Sequence, residues 1–295
     1  TYIDIINPEI RAVSDLLADC AVSPKALAED DTVELPLYRA LTLDAFDESD
    51  CGIRFDRRAA FRALAEEITR GSEATEAPLP KGLNATLRSY QHTGYQWLVR
   101  LARLGFGGIL ADDMGLGKTL ESIATINKAD AFPCLVICPN TVKINWQREW
   151  HKFTDKKAMV LTDSVRTSWP FFWQTGMNHV FIVNYESLRK YFVRRINKSE
   201  KWTLKDVEFH NTIKLFKSVI IDESHKVKST ATQQSKFCKG ITAGKEWIIL
   251  LTGTPVVNKP NDLICQLAIM DRMQYLEAGN ISRAAIALGR TGPRT

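Results

Sequence analysis

Two glycines, a lysine and a threonine mark where this chain can do chemistry. They stand in Ala111-Asp112-Asp113-Met114-Gly115-Leu116-Gly117-Lys118-Thr119. Glycines at 115 and 117 let the backbone approach a polyphosphate closely, so that main-chain N–H groups, a helix N-terminus and the Lys118 ammonium point at one anion. The Thr119 hydroxyl would then reach Mg²⁺. The general phosphate-loop pattern places a glycine six residues before the lysine, a slot held here by Asp112. On these residues alone a glycine-rich turn carrying a surface lysine is a competing reading.

Three further groups bear on it. Asp222-Glu223-Ser224-His225 pairs two carboxylates, one able to hold Mg²⁺ and the next able to polarise an attacking water. Thr252-Gly253-Thr254-Pro255 offers small hydroxyl residues that can relay a change at the phosphates. Gln91 carries an amide that both donates and accepts, which matches the acceptor and exocyclic amine of adenine, although a solvated helix-face glutamine fits that stretch as well. Singly, each is as readily an ordinary strand-to-loop transition or helix surface. Jointly, the loop, the acidic pair and Thr252-Gly253-Thr254 all end strand-like runs.

The elements that must position these groups follow from the hydrophobic pattern. Ile109-Leu110 precedes the glycine loop, and the residues after Lys118 take a helical spacing. Apolar runs at 134–138, 180–183, 218–221 and 248–251 alternate with helical and polar segments. Short continuous runs of that kind predict parallel strands covered on both faces, hence a doubly wound α/β domain with ligands at the carboxyl ends of its strands. Residues 87–98 predict a helix with Tyr90, Gly94, Trp97 and Leu98 on one side. Residues 1–70 read as a small acidic α+β accessory region, with helices at 8–20 and 56–70 around a strand at 32–35. Residues 71–82 read as a linker.

The 295 residues are 45% hydrophobic, enough for one large domain or two smaller ones, and the formal charge is +5. That sum conceals −9 over residues 1–80 and +14 over the remainder, an asymmetry that points to an anionic polymer as partner. Absence of a long apolar run or a leader-like N-terminus predicts a soluble, intracellular protein that does not enter a membrane. The six cysteines include no C-x-x-C pair, and Cys134 and Cys138 share one face of a strand, so reduced buried thiols are expected rather than zinc or disulfides.

Taken together, these segments resemble the Snf2 family of helicase-like, DNA-dependent ATPases in helicase superfamily 2. Leu87-Arg88-Ser89-Tyr90-Gln91 is similar to the family's adenine-reading segment. Leu110 to Thr119 is similar to its own form of the phosphate loop, which accounts for Asp112 in the glycine slot. Cys138 to Thr141, running on to Asn145-Trp146-Gln147-Arg148-Glu149-Trp150, and Val183 to Leu188 resemble its DNA-facing elements. Asp222 to His225 stands where the family has its Asp-Glu-x-His box, and Leu251 to Asn258 resembles its third motif. The Asp-Glu-Ser-His and Val-Val-Asn-Lys-Pro spellings are nearest the annealing-helicase and related bacterial or phage branches.

The resemblance implies a RecA-like P-loop NTPase lobe with a parallel sheet and flanking helices over residues 83–275, followed by a tail at 276–295. It implies ATP and Mg²⁺ as cofactors and double-stranded or branched DNA as partner, bound through phosphates. By position, Asp112, Asp113, Met114, Gly115, Leu116, Gly117, Lys118 and Thr119, with Gln91, bind ATP; Thr119 and Asp222 hold the metal; Lys118, Asp222 and Glu223 are catalytic. His225, Thr252, Gly253 and Thr254 couple nucleotide state to DNA grip, and Pro139, Asn140, Thr141, Lys143, Asn184 and Tyr185 contact DNA. Nothing resembles the family's later motifs and the first residue is Thr1, so a fragment lacking the second lobe is expected. The location expected is cytoplasm or nucleoid in a prokaryote or virus, or the nucleus of a eukaryote. Two readings stand: the ATP-binding lobe of a translocase, or a truncated module that binds nucleotide and DNA without turnover. A P-loop kinase or transporter ATPase leaves Gln91 and residues 139–150 unexplained.

Overall fold

In the computed structural model, the described residues are 77–103, 106–197, 202–229, 231–255 and 261–270. The accessory region at 1–70 and the tail at 276–295 lie outside them. Eight strands and seven α-helices are described: α1 (Ser89–Arg103), β1 (Gly108–Leu110), α2 (Lys118–Ala129), β2 (Cys134–Cys138), α3 (Lys143–Phe153), β3 (Ala158–Val160), α4 (Trp169–Gln174), β4 (Val180–Asn184), α5 (Leu188–Phe192), β5 (Val193–Ile196), β6 (Val207–Phe209), β7 (Ser218–Asp222), α6 (Gln233–Thr242), β8 (Trp247–Leu251) and α7 (Asn261–Met270). Six strands form one parallel sheet in the order β1-β8-β7-β2-β4-β3, and β5 pairs antiparallel with β6 in a separate ribbon.

The apolar runs form strands because each buries both faces. Leu135, Ile137, Phe181, Val183, Val219, Ile221, Ile248 and Leu250 pack into one core with Trp169, Phe192, Phe216, Phe237 and Ile241. The intervening residues, Cys134, Val136, Cys138, Val180, Ile182, Ile220, Ile249 and Leu251, pack on the other face with Ile123, Ile126, Trp146 and Trp150. This period of two divides the covering helices, with α2 and α3 on one face and α4, α5 and α6 on the other. The four cysteines within the described residues, Cys134, Cys138, Cys238 and Cys265, are buried and form no disulfide. Burial pushes the Cys134 and Cys138 thiols up to about 12, so they are inert neutral core groups.

Strand order is what assembles the site. Leu110 on β1 faces Leu251 on β8, and Leu251 faces Asp222 on β7. On the other side of β7, Ile137 faces Ile221, and Cys138 faces Asn184. The chain therefore leaves β1, β8, β7, β2 and β4 at nearly one level, and the segments following these strands share one edge. The sheet order also shows why distant stretches meet: β8 and β7, late in sequence, insert between β1 and β2.

Residues 77–80, within the stretch read as linker, are docked on α1. Gln96 accepts from the Ala77 N–H (2.8 Å) and donates to the Ala77 carbonyl (2.7 Å), and the Tyr95 hydroxyl donates to the Pro78 carbonyl (2.9 Å). Among the described residues no helix is long and apolar enough to cross a membrane.

Candidate active site

The glycine loop bridges β1 and α2. Gly115 (φ +86°) and Gly117 (φ +90°) both lie in the left-handed region that other residues avoid, and this turns the chain so that α2 begins at Lys118. A Cβ on Gly115 would meet open space, whereas one on Gly117 would land on Gln91 Nε2. The loop is thus open on its Gly115 side and closed on its Gly117 side by the α1 glutamine.

Gln91 is held firmly. Its Oε1 accepts from the Arg88 N–H (3.0 Å), and its Nε2 donates to the Leu116 carbonyl (2.9 Å). One amide hydrogen and one lone pair remain for a base. Lys118 Nζ donates to the carbonyls of Asp112 (2.7 Å) and Asp113 (2.9 Å), closing the loop around its own ammonium. Met114 is largely exposed and covers Gly253, so the loop and the Thr252–Thr254 segment already touch.

Asp222 ends β7 with each carboxylate oxygen bonded. Trp146 Nε1 donates to Oδ2 (2.8 Å), the Glu223 N–H donates to Oδ1 (2.9 Å), and the Tyr185 hydroxyl donates to the Asp222 carbonyl (2.6 Å). Burial raises the Asp222 carboxyl above its ordinary value; the Trp146 N–H and Lys118 oppose that, and the charge of Glu223 adds to it. A divalent cation would reverse the balance. Glu223 itself has φ +52°, a left-handed conformation uncommon outside glycine that recurs at functional sites.

His225 reaches both neighbours: its Nδ1 lies 3.2 Å from Glu223 Oε2 and 3.4 Å from Thr252 Oγ1. Thr252 is buried, its N–H bonds to the Leu110 carbonyl (3.2 Å), and its Oγ1 accepts from the Thr254 N–H (3.0 Å). Residues chosen from three strand ends therefore form one connected group, from Leu110 through Thr252 and His225 to Glu223 and Asp222.

The donor set fits Mg²⁺-ATP. The N–H groups of Gly115 and Gly117 have no backbone partner among the described residues, Thr119 stands in the first turn of α2, and Lys118 is near enough to Asp222 for its charge to act on that carboxyl. Hard oxygen ligands suit Mg²⁺, and free N–H groups at a helix start suit phosphate.

The residues expected to meet DNA divide in two. Asn140 and Thr141 are exposed in a 3₁₀ turn (Asn140–Val142) after β2, with Pro139 and Lys143 half-buried on either side. Asn184 and Tyr185 are buried: Asn184 Oδ1 accepts from Lys143 Nζ (3.2 Å) and Ser187 Oγ (2.9 Å), and its Nδ2 donates to Glu186 Oε2 (2.7 Å). Next to them a groove of about 390 Å³ is lined by Glu186, Arg189, Lys190, Arg194 and Arg195.

The sequence does not signal the roles of four residues. Glu121 in α2 is fully buried with no partner for either carboxylate oxygen among the described residues; burial, and then the charge of Asp112, push it up to about 8 against Lys118. A first-turn glutamate reads in sequence as an exposed dipole partner, so nothing signalled its burial. Ser224 Oγ donates to Gln266 Oε1 (2.6 Å), and Gln266 Nε2 donates to the Pro255 carbonyl (2.7 Å), tying the acidic segment to the one after β8 through α7. In sequence Trp146 stands out only as part of a DNA-facing segment; a buried indole N–H usually finds an acceptor, and Trp146 does, whereas Trp150 has none among the described residues.

A six-stranded parallel sheet carrying a glycine loop after β1, an acidic pair after β7 and a Thr-Gly-Thr turn after β8 defines a RecA-like ATPase lobe. Residues 90–278 match the SNF2-related domain, and the chain belongs to that family. It is 30% identical over 229 residues to human TATA-binding protein-associated factor 172, covering 70% of this chain and 11% of that protein. It is 30% identical over 221 residues to the putative ATP-dependent helicase/translocase YwqA of Bacillus subtilis, covering 72% and 22%. Among solved structures, the Sulfolobus solfataricus SWI2/SNF2 ATPase core in complex with dsDNA superimposes with a TM-score of 0.57 at 29% identity, over 74% of this chain and 43% of that one. The chain thus spans a minor part of its relatives' length. It is a Snf2-family ATPase domain that covers less than half of the solved core.

Proposed function

We propose that this lobe belongs to a motor that hydrolyses ATP to move along double-stranded DNA, remodelling protein–DNA or branched-DNA structures. The observation that carries the reading is the connected group across β1, β8 and β7, which sets the glycine loop, Thr252, His225, Glu223 and Asp222 on one sheet edge beside the segments after β2 and β4. A relative named a translocase and a neighbour solved with dsDNA support it.

Lys118 leaves the carbonyls of Asp112 and Asp113 to bind the β and γ phosphates together with the loop N–H groups. Asp222 and Thr119 hold the metal, which when bound offsets charge on the phosphate oxygens. Glu223 orients the attacking water and takes its proton, and Gln91 meets the adenine. His225 joins Glu223 to Thr252, so a change at the water-binding carboxylate reaches the turn after β8. DNA is gripped by its phosphates through residues 139–143 and the basic groove of Arg189, Lys190, Arg194 and Arg195, with little dependence on sequence.

A second reading applies to the polypeptide by itself, because it spans 43% of the solved ATPase core. Arginines from a second lobe are worth ~10³ to 10⁵ in turnover, so this chain alone binds nucleotide and DNA with little hydrolysis. ATP turnover with and without duplex DNA, with Lys118→Ala as control, separates the readings. Stimulated hydrolysis that vanishes in the variant supports a competent lobe; binding without turnover supports the incomplete motor. Loss of both overturns the nucleotide site.

A further inference from the structure

We propose that Trp146 is a positioning residue for Asp222 and that, with Tyr185, it carries engagement of the duplex to the metal-facing carboxylate, an inference that rests on the reading of this lobe as a DNA-dependent ATPase. Asp222 is gripped from two elements outside its own strand. The α3 indole bonds Oδ2 at 2.8 Å, and the hydroxyl of Tyr185, in the turn after β4, bonds the main-chain carbonyl at 2.6 Å. With the Glu223 N–H on Oδ1, the side chain has no free rotation and the strand end no free tilt.

The donor type matters. An indole N–H donates once and accepts nothing, so it aims the carboxylate without neutralising it, whereas a lysine or arginine would compete with the cation. Each carboxylate oxygen keeps a further lone pair for metal or metal-bound water. Trp146 is 1% exposed and embedded in the core formed with Cys138, Val136 and Ile220, so the ring moves only with α3.

Both donors are attached to the proposed DNA side. Lys143, the first residue of α3, lies three residues before Trp146 and so on the same side of the helix, and its Nζ bonds Asn184, the residue before Tyr185. A phosphate that draws Lys143 or the 139–143 turn outward therefore shifts α3 and the turn after β4 together, and with them both donors on Asp222. This route is separate from the His225–Thr252 connection, which approaches the acidic pair from β8.

The test is binding of a fluorescent ATP analogue to this polypeptide as Mg²⁺ is titrated, with and without a blunt duplex. In the wild type, duplex lowers the Mg²⁺ midpoint by about fivefold or more, the lower end of ordinary coupling between sites. Trp146→Phe raises the duplex-free midpoint by about 10- to 100-fold, the range expected for losing a hydrogen bond to a charged group. Its response to duplex falls below about twofold, a small fraction of that ordinary coupling. Binding in EDTA, which depends on Lys118 and the loop, stays near wild type, and saturating Mg²⁺ restores the variant.

An unchanged midpoint and duplex response in Trp146→Phe overturns this inference alone, as does parallel loss of binding in EDTA, which marks a structural role only. A wild type that binds neither Mg²⁺-nucleotide nor DNA overturns the parent reading as well. If the variant does not fold, the indole region of a ¹⁵N spectrum decides. Trp146 is the one indole bonded to a carboxylate among the described residues, so one of the seven indole signals must shift on adding Mg²⁺ to the nucleotide complex and shift again with duplex. No such shift refutes the proposal.

Discussion

Gly115 and Gly117 share a backbone conformation, at φ +86° and +90°, but differ in surroundings, and that difference predicts unequal effects of the same substitution. Alanine at either position carries a Cβ into the left-handed region at about 1–2 kcal/mol. At Gly115 the Cβ meets nothing within contact range, so that term is the whole cost. At Gly117 it collides with Gln91 Nε2 and expels the amide from the Leu116 carbonyl. Losing that hydrogen bond and stranding its acceptor adds about 1–3 kcal/mol. At about 1.4 kcal/mol per decade, Gly115→Ala costs about tenfold and Gly117→Ala about a hundredfold or more. The loss appears in Mg²⁺-ATP affinity where the altered loop relaxes and in melting temperature where it does not, so calorimetric titration and thermal unfolding are read together. Gln91→Ala supplies the decisive background: without the amide in the way, Gly117→Ala should cost no more than Gly115→Ala. Equal penalties for the two glycines in the wild type, or an undiminished Gly117→Ala penalty without Gln91, would refute the reasoning.

Three other outcomes follow from the same contacts. Lys245 is buried with its ammonium on the Ile213 carbonyl (2.6 Å), and desolvation lowers it to about 8 from 10.5. The folded state therefore binds fewer protons than the unfolded between those values, so stability is depressed below pH 8 and rises with pH up to the unfolded value. Relative to Lys245→Met, wild type should gain about 2 kcal/mol between pH 7.5 and 10 in urea titrations; parallel curves would contradict it. Ser224→Ala leaves the Gln266 carbonyl oxygen buried without its donor and should cost about 1–3 kcal/mol by chemical denaturation. If the basic groove follows a DNA backbone, replacing Arg189 and Arg194 by alanine together lowers the slope of log affinity against log salt by about 2, since each phosphate contact contributes ~0.9.

The sheet strands were legible wherever a run was apolar on both faces: the segments at 134–138, 180–183, 218–221 and 248–251 are strands with ends moved by at most one residue. Apart from β1, visible as Ile109-Leu110, shorter or polar strands were not. Ala158–Val160 is three residues long at the sheet edge, and the Val193–Ile196 and Val207–Phe209 ribbon is half-exposed and rich in charge, so neither carries the signal of a buried strand. Strand order was also invisible, since nothing in the spacing says that β8 and β7 insert between β1 and β2. That order converts three separate motifs into one site. Side-chain direction was the other gap. The helix holding Glu121 and the segment holding Tyr185 were visible, but their inward direction depends on Gly94 leaving room for the glutamate and on Asp222 offering its carbonyl.

The central claim is that the glycine loop and Asp222 together form a Mg²⁺-nucleotide site. Equilibrium binding of Mg²⁺-ATP to the wild type, Lys118→Ala and Asp222→Asn tests it most directly. The account predicts saturable binding that weakens about 10- to 100-fold in Lys118→Ala, the worth of charge-assisted bonds to phosphate, and loses its Mg²⁺ dependence in Asp222→Asn. Wild-type affinity in both variants, or no binding in the wild type, would contradict it.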